Sequence, residues 1–306
     1  MKKIYWHLPG FCYFYKMNTR LIGLLRKNPE MFYDGYDIGS VYGTFPGAIW
    51  NGGRAVFGVM SNRDISRVLE TYNSMNVPVR FTWTNSLIEE KHLNDTYCNL
   101  IMKLADNGRN QVLVNRQVLE DYLRDTYKSV SKETSGNTGT VPKGDDSGFA
   151  FISSTTKRLT DIEAVKKELS GDYLLVVLDY DLNCDEEVLK SLEPYADRIE
   201  ILVDEICYPY CPKRKDHYAD EALMQLTFDK DTRYECTNKM TRPSFAEAMK
   251  RPHFISNELL PAYIDRGYRN FKIVGRGLPQ DMVLESYLYY LVKEKYREEV
   301  KKILVS

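Results

Sequence analysis

Residues 199–218 read IEILVDEICYPYCPKRKDHY: an apolar strand that runs into Cys207 and Cys211, with Pro209, Pro212, Lys213, Arg214 and His217 around them. Thiolates are soft ligands for zinc or an iron–sulfur cluster. Two cysteines at this spacing meet one metal when the backbone turns between them, and the prolines fix such a turn. Lys213 and Arg214 offset the negative charge of a cluster and its thiolates. A third thiol, Cys236, lies 25 residues on in RYECTNKM, a polar stretch that gives no packing reason for it. Cys207, Cys211 and Cys236 are therefore the expected ligands. For a fourth, Cys98 ranks first, because it opens a helix whose dipole favours a thiolate. Cys12 follows the first strand and ranks second; Cys184 sits among acidic residues and ranks third. A lone CxxxC carries little by itself, and the alternative is a set of free thiols beside a basic patch.

Strands and helices alternate along the 306 residues. Strands are expected at 2–9, 36–43, 77–85, 111–115, 149–155, 173–182, 199–206 and 270–277. They read as continuous apolar runs, which suits a parallel sheet covered on its outside. Helical spacing is read at 19–32, 62–75, 93–108, 117–127, 160–171, 185–196 and 256–267, with one long closing helix at 281–304. Eight βα units in this length argue for a single-domain (β/α)8 barrel over residues 1–306. An open doubly wound sheet is the alternative, but no G-x-G-x-x-G follows the first strand. Chemistry in such barrels sits on loops that follow strands, and the cysteine segment follows the seventh. Residues 129–148, rich in Gly and Ser, precede a strand and are expected as a flexible loop on the opposite face.

The same rule selects the polar groups around the cysteines. Arg54 ends the Gly-rich turn IWNGGR, whose amides suit an anion; a tight turn that merely needs glycine is the competing reading. Asn85 ends the third strand, as a substrate contact or as a hydrogen bond to the next helix. His217 offers acid–base chemistry. Lys272 and Arg276 share the eighth strand, with Arg276 at its end. Arg214, His217 and Arg276 are the catalytic candidates, and Arg54 and Asn85 the substrate-binding ones. Together they form a cationic lining suited to an anionic or carbonyl-bearing substrate.

Composition narrows the setting. There are 42 basic and 43 acidic residues for a net charge of −1, which gives no signal for nucleic acid or an anionic membrane surface. No apolar run is long enough to span a bilayer. His7, Pro9 and Gly10 interrupt the N-terminal apolar stretch, so it reads as a strand and not a signal peptide. The expected compartment is the cytoplasm, where the six cysteines stay reduced.

The stretch HFISNELLPAYIDRGYRNFKIVGRG, residues 253–277, resembles the segment of the U-thirty-two (collagenase-like) peptidase family that ends in Phe-Lys-Ile-Glu-Gly-Arg. Here the signature reads Phe271-Lys272-Ile273-Val274-Gly275-Arg276. The order of ISSTT, VVLDYDL and IEILVDEIC also follows that family. The resemblance implies a barrel with a 4Fe–4S cluster held by four cysteines, of which Cys207, Cys211 and Cys236 match in order. It also implies oxygen-independent hydroxylation or related chemistry. The chain departs from the pattern: the His-Gly-Ala before the first cysteine is absent, the cysteine spacing is shorter, and Val274 replaces the glutamate. Three functions result: an iron–sulfur enzyme, a non-catalytic partner subunit carrying a cluster or zinc, and a hydrolase. The last is weakest, because no nucleophile–base pair is evident.

Overall fold

The computed structural model describes residues 3–130, 147–230, 236 and 244–306. Eight parallel strands close into a barrel in the order of the chain: β1 Ile4–Pro9, β2 Tyr36–Gly43, β3 Val79–Trp83, β4 Gln111–Val114, β5 Ala150–Ser153, β6 Leu175–Val177, β7 Ile199–Leu202 and β8 Asn270–Lys272. The seam is β8 on β1, where Tyr5, Trp6 and His7 pair with Asn270, Phe271 and Lys272. The expected (β/α)8 barrel is therefore the fold.

Alternation along each strand sorts the side chains. Ile199 and Ile201 of β7, Val112 and Val114 of β4, and Phe271 of β8 pack outward into the main core, against the helix layer. Leu113, Ala150, Ile152, Leu175, Val177 and Leu202 form a second, smaller cluster inside the barrel. The continuous apolar runs read from sequence hold for the outer face. Inside, half of the barrel is polar, as described below.

Helices flank the barrel at α1 Tyr15–Lys27, α2 Asn62–Ser74, α3 Thr96–Ala105, α4 Gln117–Thr126, α5 Ile162–Ser170 and α6 Glu186–Leu192. Several begin on side-chain caps. Ser61, Asp95, Asp161 and Asp185 each accept an otherwise unpaired backbone N–H of the first turn. Beyond β7 come α7 Arg214–Thr227, the short α8 Phe245–Ala248 and α9 Leu260–Asp265. Helix α7 is a finding: the basic run after Cys211, read as loop, starts a helix that carries Arg214 and His217.

The closing helix is two helices, α10 Gln280–Leu291 and α11 Arg297–Val305. The break has a local cause. Val292 forms an antiparallel bridge with Phe32, and Lys293 N donates to Met31 O at 2.9 Å. The chain thus leaves the helix to pair with the segment after α1. Helix α10 is also largely buried, through Met282, Val283, Tyr287, Tyr290 and others. Residues 131–146 of the Gly/Ser-rich stretch lie outside the described residues. Its flanks meet in a parallel bridge between Ser129 and Phe149, just ahead of β5. Among the described residues no helix is long and apolar enough to cross a membrane.

Candidate functional site

The site rests on an ionic floor inside the barrel. Inward positions of six strands bring together His7, Ser40, Arg80, Gln111, Glu200, Asn270 and Lys272, all buried. Arg80 Nη1 is paired with Glu200, and its Nε donates to Gln111 Oε1 at 2.8 Å. Lys272 Nζ lies 3.1 Å from the other Glu200 oxygen. Burial works against the Glu200 charge, but Arg80 and Lys272 prevail and hold the carboxyl well below the usual range. His7 is pushed down to about 3, first by burial, so it is neutral. Arg80 Nη2 approaches His7 Nδ1 at 3.2 Å and has only hydrogens to offer. Nδ1 is thus the acceptor, and the proton sits on Nε2, facing Asn270 Oδ1 at 3.3 Å and Glu200 Oε2 at 3.4 Å.

Above this floor, at the C-terminal ends of the strands, a pocket of about 110 Å³ opens. Loops after β2, β5, β6, β7 and β8 supply its walls. Among its lining residues are Arg54, Arg214, His217 and Arg276, four of the five polar groups expected from sequence, together with Cys207 and Lys272. A larger cavity of about 840 Å³ adjoins it and shares Arg54 and Arg276, with apolar walls that include Phe14, Val56, Phe57 and Leu278.

Arg276 is positioned by neutral groups. One of its nitrogens, Nη1, donates to Asn51 Oδ1, Gly52 O and Thr82 Oγ1 at 3.1, 2.9 and 3.0 Å. Burial, and next the neighbouring Arg54 against the opposing pull of Tyr42, lower its pKa. Arg214, 3% exposed, stacks 3.4 Å above the Tyr180 ring and donates to Tyr208 O at 2.7 Å. Its Nη1 reaches Asp181 at 3.3 Å. Burial brings its pKa down to about 10. Asp181 is in turn held by Arg158, which also grips both oxygens of Asp179 at 2.7 Å.

Three polar atoms on pocket-lining residues have no partner among the described residues: Arg214 Nε, Tyr180 Oη and Thr155 Oγ1. Leaving a buried donor unpaired costs roughly 1–3 kcal/mol; all three atoms lie beneath the cavity surface, where a small side-chain shift brings them to a ligand.

The remaining expectations divide. Arg54 lines the pocket, near Glu221 at 3.8 Å and His217 Nε2 at 3.3 Å. His217, on α7, also faces Glu221 at 3.5 Å. The Gly-rich turn before Arg54 is a close-packing device: a Cβ on Gly52 would stand 2.2 Å from Thr84 O, and Gly52 N is spent on Thr82 O. Asn85 is fully buried and bonds to Ile49 O at 2.9 Å and Ala222 O at 3.1 Å. It clamps the turn to α7, a helix bond, though not to the next helix along the chain.

Cys207 lies at the pocket, and Cys211 and Cys236 are near enough to act on its charge. Burial, Glu205 and those two thiols push it up to about 12. Glu205 also accepts Cys207 N at 2.9 Å. By residue type these three thiols are soft ligands. Among the described residues, however, no three His, Cys, Asp or Glu side chains stand in a metal-holding arrangement. Cys98 does open α3, but it is fully buried in the core against Ile49 and Trp50. Burial and its capping Asp95 raise its pKa well above normal, which overrides the helix dipole. Cys12 lines the larger cavity, with its thiol pushed up to about 11 by burial, and Cys184 is exposed.

Sequence reading missed the ionic floor and the Tyr180–Thr155 wall. The signal was available: Arg80, Gln111 and Glu200 interrupt otherwise apolar strands at alternate positions, and Tyr180 sits between two acids at a strand end.

No protein-family model and no curated protein matches the chain. It is similar to a solved structure described as "The Structure of the U32 Peptidase Mk0906", at 12% identity over 91% of this chain and 94% of that one, with a TM-score of 0.49.

Proposed function

We propose that the chain is an enzyme whose barrel mouth takes a small substrate carrying an oxyanion, a carboxylate or a phosphate. One observation carries the reading: three arginines, Arg54, Arg214 and Arg276, line one pocket, and just beneath its surface Arg214 Nε, Tyr180 Oη and Thr155 Oγ1 lack a hydrogen-bond partner among the described residues. Arginine recognises planar and tetrahedral oxyanions through paired N–H groups. Arg276 keeps a nitrogen over for this, because its described bonds all leave from Nη1. His217, beside Glu221 at the rim, is placed for proton transfer to a bound substrate. A thermal-shift series tests the reading: small carboxylates and phosphate should raise Tm, and neutral amides of the same shape should not. Equal shifts from both classes, or none, would refute it.

A second reading concerns the thiols. Cys207, Cys211 and Cys236 would hold an iron–sulfur cluster or zinc next to the pocket, favoured by the electrostatic contact of Cys207 with both others. A cluster would supply electrons there, and oxygen-independent hydroxylation is the chemistry that reading implies. Anaerobic isolation with iron and sulfide analysis decides it; stoichiometric zinc would favour a structural or partner role.

A further inference from the structure

We propose that Lys272 is an imine-forming nucleophile, which makes the substrate class an aldehyde or ketone that also carries an oxyanion. The inference rests on the oxyanion reading of the mouth and adds the reacting group. Lys272 is on β8, points inward and lines the pocket from below, 5% exposed. The groups that face it come from every side: Glu200 of β7 at 3.1 Å, the Tyr42 ring of β2 at 4.2 Å, Arg80 of β3, His7 of β1, and Arg276 beyond β8. Glu200 is already paired with Arg80, so the floor holds one carboxylate between two cations, with His7 neutral. That arrangement, with burial acting first and Glu200 opposing it, lowers the Lys272 pKa to about 8. Roughly one amine in ten is therefore neutral and nucleophilic at pH 7, against about one in several thousand for an ordinary lysine.

In the step, the Nζ lone pair attacks the carbonyl carbon and the carbonyl π pair moves to oxygen. The two amine hydrogens pass to that oxygen, the C–O bond breaks, and water leaves. A C=N bond replaces the C=O bond with no change of oxidation state. The arginines above hold the oxyanion and so present the carbonyl to the lysine.

The test treats the full chain with glyoxylate and cyanoborohydride, which delivers hydride to an imine carbon and fixes the adduct as a carboxymethyl-lysine. Peptide mapping then reads the position. Lys272 should label roughly a hundredfold faster at pH 7 than surface lysines, given the gap between about 8 and 10.5. Phosphate should protect it. Lys272→Arg keeps the cation beside Glu200 and should lose this label while retaining phosphate binding. If phosphate displaces bound glyoxylate but Lys272 stays unlabelled, the imine proposal is wrong and the oxyanion site stands. If neither glyoxylate nor phosphate binds, both fall.

Discussion

The barrel holds two clusters of arginine, lysine and acid, one above the other, and they are opposite in kind. The floor is nearly closed: Arg80, Glu200, His7, Gln111 and Asn270 answer one another's donors and acceptors, and the one of their atoms left without a hydrogen bond among the described residues, Glu200 Oε1, is ion-paired with Lys272 at 3.1 Å. The mouth is open: Arg214 Nε, Tyr180 Oη and Thr155 Oγ1 have no partner among the described residues. The same residue types therefore do different work. A satisfied buried network specifies structure, whereas an unsatisfied one awaits a ligand. Lys272 belongs to both, paired below and facing the pocket above.

The comparison breaks most visibly if the floor is cut. Glu200→Ala leaves Arg80 and Lys272 buried without their anion and should cost about 3–5 kcal/mol, read as a lower urea midpoint. The floor also sets an acid limit. His7 is buried neutral with its pKa lowered from 6.5 to about 3, so the unfolded chain binds more protons between those values. Its contribution is fully present above pH 6.5 and is lost as pH falls toward 3, on the order of 5 kcal/mol. Denaturation midpoints at stepped pH should show that slope, and His7→Asn should flatten it.

At the mouth the expected pattern reverses. Arg276→Gln should weaken oxyanion binding tenfold to a hundredfold, the worth of a charged hydrogen bond at about 1.5–3 kcal/mol, with a smaller loss of stability than Glu200→Ala, from the bonds its Nη1 makes to Asn51, Gly52 and Thr82. Tyr180→Phe removes an unpaired hydroxyl. It should leave the urea midpoint unchanged or slightly raised and weaken binding only about two- to tenfold. A clear loss of stability in Tyr180→Phe would mean that the hydroxyl is satisfied and the contrast between floor and mouth is false. For the thiols, Cys207→Ala should abolish any bound iron while Cys98→Ala, a core truncation, should spare it.

The strand order, the barrel and the cationic rim were legible because they depend on local pattern and on the rule that loops after strands line the mouth. Arg54, Arg214, His217 and Arg276 follow from that rule alone, and all four reach the pocket. Asn85 obeys the same rule and yet turns to Ile49 O and Ala222 O, a choice made by tertiary contacts. Cys98 shows the limit from another side. Its place at the start of α3 was right, but whether a thiol there faces metal or core depends on how Trp50 packs. The floor was hidden because its members come from six strands, each contributing one or two polar residues that look incidental in their own segment.

Calorimetric titration of the full chain with phosphate, in parallel with Arg276→Gln, tests the oxyanion mouth most directly. The account predicts one site per chain in the wild type, heat that vanishes when glyoxylate is already bound, and a tenfold or greater loss of affinity in the variant. Binding that Arg276→Gln leaves untouched, or no binding to the wild type, would contradict it.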